Sequence, residues 1–299
     1  VSHSGVITSS PSRGYPTHLP KIVFFTCFYA IRSKHKVEAY LTWGKMFVRQ
    51  MRGCTVLVFT DQKTLPLIQP LLEGESGFEV VLRELQDFEL APHQSSFERS
   101  ALVCWKPVAW EVVMLWQERH LLYSEVQRRF PTADFFSHVD WGYFRQKEPI
   151  VGWASPEALW SIDRSRVHSA LVTKRSPKEM GAIENIISSS SLRKENVKLF
   201  DNFIGGGCML VPRSRVSWWV DTFRSTLKPF LEDGRFSTDD QVVLAHAIFS
   251  PAGKNNFRTV SSCEKNKPAP GVKLDPLNGY LWFPFRQLLS GQEVKVEDL

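Results

Sequence analysis

No stretch of the 299-residue chain approaches the roughly 18 consecutive apolar residues that a bilayer-crossing helix requires. The five cysteines, Cys27, Cys54, Cys104, Cys208 and Cys263, contain no Cys-x-x-Cys pair and have no histidines at zinc-binding spacing, which argues against a structural zinc site. Their apolar surroundings suit small buried hydrophobes, and an odd number leaves at least one thiol outside any intramolecular pairing. No Gly-Lys-Ser/Thr follows a glycine loop, and no Gly-x-Gly-x-x-Gly opens a helix, so neither a P-loop nor a dinucleotide fingerprint is present. Internal repeats are absent. Basic residues interleaved with aromatics on a single element are absent as well, and no nucleic-acid module motif occurs, so a nucleic-acid partner is not expected.

What remains is an ordinary globular composition, 43% hydrophobic and 23% charged, and unusually rich in rings, with ten Trp and twenty-one Phe. The net charge of +6 favours an anionic ligand such as a nucleotide or phosphate. Residues 1–20 are rich in Ser, Pro and Gly and lack periodicity, so they read as a flexible lead-in or stem. A stem suggests a membrane anchor outside this sequence and a Golgi-lumen location, with the cytoplasm as the alternative.

From residue 21 the pattern alternates. KIVFFTCFY (21–29), TVLVFTD (55–61), FEVVLREL (78–85), FPTADFFSHVDWGYF (130–144) and SALVTKR (169–175) read as strands. Helical periodicity lies between them: Val37, Tyr40, Leu41, Met46 and Phe47 share one face, and a helix over Ser100–Tyr123 would take Pro107 in its first turn. NFIGGGCMLVPR (202–213) reads as strand, glycine turn and strand, and an amphipathic helix follows it. DDQVVLAHAIF reads as a further helix capped by Ser237 or Thr238, and GYLWFPF (279–285) as a last strand. This alternation predicts one large α/β domain over 21–299, with a mostly parallel sheet flanked by helices and no clean linker that would cut the chain in two.

Ligands of such sheets bind at the carboxyl ends of the strands. Tyr29, Asp61 and Asp140 all fall at such ends. Asp140 closes the apolar run of 134-DFFSHVDWGYFR-145, where a carboxylate could hold a divalent cation or simply cap a turn. His138 points to the same face as Asp140, and Gly142 would allow a turn or a close approach of the backbone to a ligand. Gly205, Gly206 and Gly207 offer either a phosphate nest or a β-bulge. Asp239, Asp240 and Gln241 open a helix with more acid than capping needs, which allows a general base. Lys106 sits in apolar 103-VCWKPVAW-110 as a candidate phosphate contact.

Taken in order, KIVFFTCFYAIR, VEAYLTWGKMF, VLVFTD, CWKPVAW, DFFSHVDWGYFR, FIGGGCMLV and DDQVVL resemble the bacterial WlaTC/HtrL-type glycosyltransferases, and more broadly the nucleotide-sugar-dependent enzymes of the GT-A fold, over about residues 21–250. The resemblance implies a GT-A-like fold with a Rossmann-type sheet, a nucleotide-binding half over about 21–145 and an acceptor half over about 146–299, and transfer of a sugar from a nucleoside diphosphate sugar, UDP-linked by expectation, to a hydroxyl of a glycan or glycoconjugate. It also implies that Thr26, Phe28, Tyr29 and Arg32 lie near base and ribose, that Asp61 approaches the nucleoside, and that 205–207 and 239–241 serve the acceptor side. His138-Val139-Asp140 matches the position of the Asp-x-Asp metal motif, but with histidine where the first carboxylate belongs. That departure leaves either a metal held by Asp140 and His138 with help from a C-terminal residue, or a weakened or absent one; the expected ion is Mn²⁺, which tolerates mixed nitrogen and oxygen ligands better than the alternative, Mg²⁺. Two other classes fit the same residues: a non-catalytic carbohydrate- or protein-binding module, and a metal-dependent phosphoester enzyme.

Overall fold

A computed structural model describes residues 19–104, 106–145, 149–189, 194–262 and 282–298. Eight strands form one sheet: β1 (Ile22–Cys27), β2 (Thr55–Thr60), β3 (Phe78–Leu82), β4 (Phe135–Val139), β5 (Val167–Leu171), β6 (Ile204–Pro212), β7 (Phe257–Ser262) and β8 (Val294–Asp298). Ten helices accompany them among the described residues: α1 (Val37–Gln50), α2 (Leu65–Leu72), α3 (Gln94–Ala101), α4 (Trp110–Leu121), α5 (Tyr123–Arg129), α6 (Pro156–Trp160), α7 (Pro177–Ser189), α8 (Val216–Glu232), α9 (Asp240–Phe249) and α10 (Pro284–Leu288). The strand order is β3-β2-β1-β4-β6-β5-β7-β8, so one sheet carries both halves of the chain.

The apolar strands are buried on both faces, and their two-residue period divides them between two cores. Val23 and Phe25 of β1, Leu57 and Phe59 of β2 and Phe136 of β4 face the larger core, which is completed by α3, α4, α5, α7, α8 and α9. Phe24, Val56, Val58, Phe135 and Val139 face the other, against α1, α2, α6 and α10. The result is a helix–sheet–helix sandwich, the α/β architecture expected from the alternation. The parallel block comprises β3, β2, β1 and β4. Beyond it β6 runs antiparallel to both β4 and β5, β5 and β7 return to the direction of the block, and β8 is reversed again, so the sheet is mostly parallel with two strands turned round. The reversal of β6 brings its start to the edge where β1 and β4 end.

Several local expectations change. The helix expected over 100–123 is two helices, α3 and α4, because Pro107 lies in the connector between them rather than in a first turn. Asp239, not Ser237 or Thr238, caps α9. Of the strand expected at 279–285, residues 279–281 lie outside the described residues, and Phe283 immediately precedes α10. Residues 1–18 and Cys263 also lie outside. The remaining four cysteines are free thiols, and burial pushes the Cys208 thiol up to about 12. No described helix is long and apolar enough to cross a membrane.

The ring of Phe136 is fully buried in the larger core. Phe136→Ala should therefore cost about 3–5 kcal/mol in urea unfolding followed by circular dichroism. Leu67→Ala, at an exposed position of α2, should change stability by less than about 0.5 kcal/mol.

Candidate active site

A cavity of about 600 Å³ opens where β1 and β4 end and β6 begins. Eleven of the candidate site residues read from the sequence line it: Thr26, Phe28, Tyr29, His138, Asp140, Gly142, Gly206, Gly207, Asp239, Asp240 and Gln241. The elements explain the convergence. β4 delivers Asp140 at its carboxyl end, with the Asp140 N–H donating to Gly207 O at 2.8 Å, and antiparallel β6 lays its glycines alongside. The amino end of α9 supplies the acidic pair.

Arg119, which the sequence reading overlooked, sits at the centre. One guanidinium nitrogen donates to Asp140 Oδ1 and another to Asp240 Oδ2, and its side chain is only 8% exposed. This joins β4, α4 and α9 by two charge-assisted hydrogen bonds on a single fork. His120 Nε2 lies 3.1 Å from Asp240 Oδ2 as a second partner, and burial holds its pKa down near 4, so it acts as a neutral donor. A periodic apolar α4 gives no hint that Arg119 and His120 turn inward. The one available signal was that a long charged side chain, on a helix flanked by Val112, Val113, Met114 and Leu115, needs a partner.

The two adjacent aspartates are driven apart chemically. Asp240 is buried, but the Arg119 guanidinium and the His120 donor outweigh that burial and hold its carboxyl well below the usual range. It stays ionised as the counter-charge of Arg119, and a buried, clamped, weakly basic carboxylate is a poor proton acceptor. Asp239 accepts from Gln241 N at 3.1 Å and from Gln241 Nε2 at 3.0 Å. Burial, assisted by the charges of Asp240 and Asp201 and opposed by Lys34, pushes its pKa up to about 6.

The glycine run is a β-bulge rather than a turn between two strands. Pairing of β5 with β6 jumps from Ser169↔Met209 to Ala170↔Gly205, so Gly206–Cys208 swell out on β6. None of these glycines has a positive φ. Gly206 is bare for space, because a Cβ there would stand 2.2 Å from Asp240 Oδ1 and 2.3 Å from Oδ2. Gly205 packs against Ala170 and does not line the cavity. Gly142 lines the cavity and also makes room for packing, since a Cβ there would meet the Trp43 ring at 2.9 Å.

His138 is a strut. Its Nε2 lies 2.7 Å from Gly206 O and its Nδ1 3.0 Å from Tyr123 Oη, with the ring 99% buried. Both nitrogens are spent inside the fold, so His138 has no lone pair to offer a metal. Asp140 keeps one oxygen on Arg119, and among the described residues no group of three or more His, Cys, Asp or Glu side chains could hold an ion. The donor set does not fit the Mn²⁺ or Mg²⁺ site expected from the sequence.

Three further expectations move away from the cavity. Asp61 accepts the Thr64 N–H at 2.6 Å and shapes the start of α2. Arg32 is exposed and turns its guanidinium towards Val108 O. Lys106 lies on the connector between α3 and α4, outside the cavity lining. Their strand-end or apolar context was shared with true lining residues, which is why sequence alone did not separate them. Besides Arg119, the cavity is lined by Lys34, 4.4 Å from the Trp116 ring centroid, and Arg145, 4.2 Å from that of Trp43. Tyr40, Trp116, Trp141, Trp282 and Phe283 supply rings to the wall.

No protein-family model matches the sequence, and no curated protein matches it. Mouse xyloside xylosyltransferase 1 in its apo form is similar in backbone, over 79% of this chain and 84% of its own, with a TM-score of 0.46 and 9% identity. The galactosyltransferase LgtC in complex with donor and acceptor sugar analogs is similar over 90% of this chain and 83% of its own, at 0.44 and 11%. A cytidylyltransferase from Leptospira borgpetersenii serovar Hardjo-bovis is similar over 80% and 74%, at 0.35 and 9%. At these values the likeness is one of outline.

Gly206→Ala should lower stability by about 1–3 kcal/mol in urea unfolding, because the locked Asp240 carboxylate has nowhere to go. Gly181→Ala in α7, where a Cβ would meet nothing within 4 Å, should instead add about 0.5–1 kcal/mol.

Proposed function

We propose that the chain is a glycosyltransferase that takes a nucleoside diphosphate sugar, UDP-linked in our reading, and transfers the sugar to a hydroxyl of a glycan or glycoconjugate. The observation that carries the proposal is the composition of one cavity: a carboxylate with a pKa near 6, ring-braced cations and a wall of aromatic residues, gathered at the carboxyl edge of an α/β sheet. The volume suits a ligand of that size. The ordered sequence motifs that resemble WlaTC/HtrL-type enzymes support the same reading.

Asp239 is the proposed general base. It takes the proton of the acceptor hydroxyl as that oxygen attacks the anomeric carbon. The bond from that carbon to the diphosphate oxygen breaks, and the electron pair leaves on the diphosphate. This sequence inverts the anomeric centre. Lys34 and Arg145 face the negative charge that develops on the leaving group. Aromatic walls suit the faces of the base and the sugar. No step passes through a metal, since His138 and Asp140 are committed elsewhere; the metal-dependent phosphoester alternative loses its ligands for the same reason.

Isothermal titration with a panel of nucleotide sugars, followed by measurement of released nucleoside diphosphate, tests the proposal. Binding of at least one member with turnover supports it, and binding of none contradicts it; binding without turnover would favour a non-catalytic module. For the base, a carboxylate works only when deprotonated, so kcat/KM should fall about tenfold per pH unit below about 6 and level off above. Asp239→Asn should remove that limb and lower kcat by about 10²–10⁴-fold while the melting temperature stays close to that of the parent chain.

A further inference from the structure

We infer that Arg119 takes the place of a divalent cation in this cavity, so that a nucleoside diphosphate binds without metal. For its ligand the inference rests on the nucleotide-sugar reading above; for the ion it rests on geometry alone.

Asp140 and Asp240 come from a strand end and a helix start far apart in sequence, and they turn towards a common point. Two carboxylates converging in this way need a cation between them, or one must be protonated. The guanidinium of Arg119 fills that point, with Nη1 on Asp140 and Nη2 on Asp240. Its charge is permanent, and its planar fork matches two separate carboxylates. The surroundings are shaped to this pair. Gly206 is bare where the Asp240 carboxylate lies, and His120 holds the same carboxylate from the other side.

An incoming ion would have to expel a guanidinium that is itself 92% buried and leave it uncompensated inside the protein. It would gain little, because His138 is tied to Gly206 and Tyr123. The diphosphate therefore falls to the cavity's other cations. Lys34 and Arg145 line the cavity, each with its charge held over an indole ring. The Asp140 side chain, 46% exposed, turns its remaining face to the cavity and can accept a sugar hydroxyl.

Two measurements on the full chain, freed of metal by chelation, test this. Electron paramagnetic resonance of added Mn²⁺ alone should show the ion remaining free, and Arg119→Met should bind Mn²⁺ through the released carboxylates, with Asp140→Asn in that background abolishing the uptake. Titration with UDP should give the same affinity within about threefold in EDTA and in Mn²⁺. Uptake of Mn²⁺ by the parent chain that Asp140→Asn removes would overturn the inference, as would UDP binding more than about tenfold tighter with Mn²⁺. If Arg119→Met does not fold, the parent-chain measurements still decide. Absence of UDP binding in both buffers, with Mn²⁺ free, contradicts the nucleotide reading while the Mn²⁺ result still upholds the guanidinium in the ion's place.

Discussion

A single guanidinium organises the active end of this molecule. Arg119 reaches from α4 to the last residue before the turn of β4 and to the first residue of α9, and so ties three separate elements around one charge. Remove that cation and Asp140 and Asp240 would repel each other across a poorly hydrated gap, with the start of β6 losing the carboxylate that its bare glycine accommodates. The stretch that closes β4 with a carboxylate is thereby explained. Asp140 is affordable at the end of a buried strand because its partner is already waiting on the neighbouring helix.

The same charge separates the duties of two neighbouring aspartates. Asp240 faces Arg119 and His120 and is held ionised; Asp239, one residue earlier, lies outside that grip and loses water without gaining an arginine. One peptide unit thus turns a chemically equivalent pair into a fixed counter-ion and a titratable group near neutrality. Environment, rather than residue type, makes that distinction.

Much of the fold was legible from periodicity. Apolar runs such as IVFFTC and TVLVFT, buried on both faces, announce interior strands, and the helices between them announce a layered sheet. The edge that carries the cavity was legible as well, because strand ends are where such sheets leave space, and Asp140 and Asp239 do line one cavity there. Contacts between distant elements were not legible. The inward turn of Arg119 depends on α4 packing against β1, α8 and α9, the commitment of His138 depends on Tyr123 and Gly206, and the diversion of Asp61 to Thr64 depends on how tightly α2 follows β2. The reversal of β6 and its bulge likewise follow from pairing with two partners at once, a property no local pattern encodes.

The most direct test of this account is a crystal structure of the chain with UDP, grown with Mn²⁺ and measured at the manganese absorption edge. The account predicts nucleotide density in the cavity beside Lys34 and Arg145, Arg119 still joined to Asp140 and Asp240, and no anomalous peak between them. An anomalous peak on Asp140 with the Arg119 side chain swung away would contradict it.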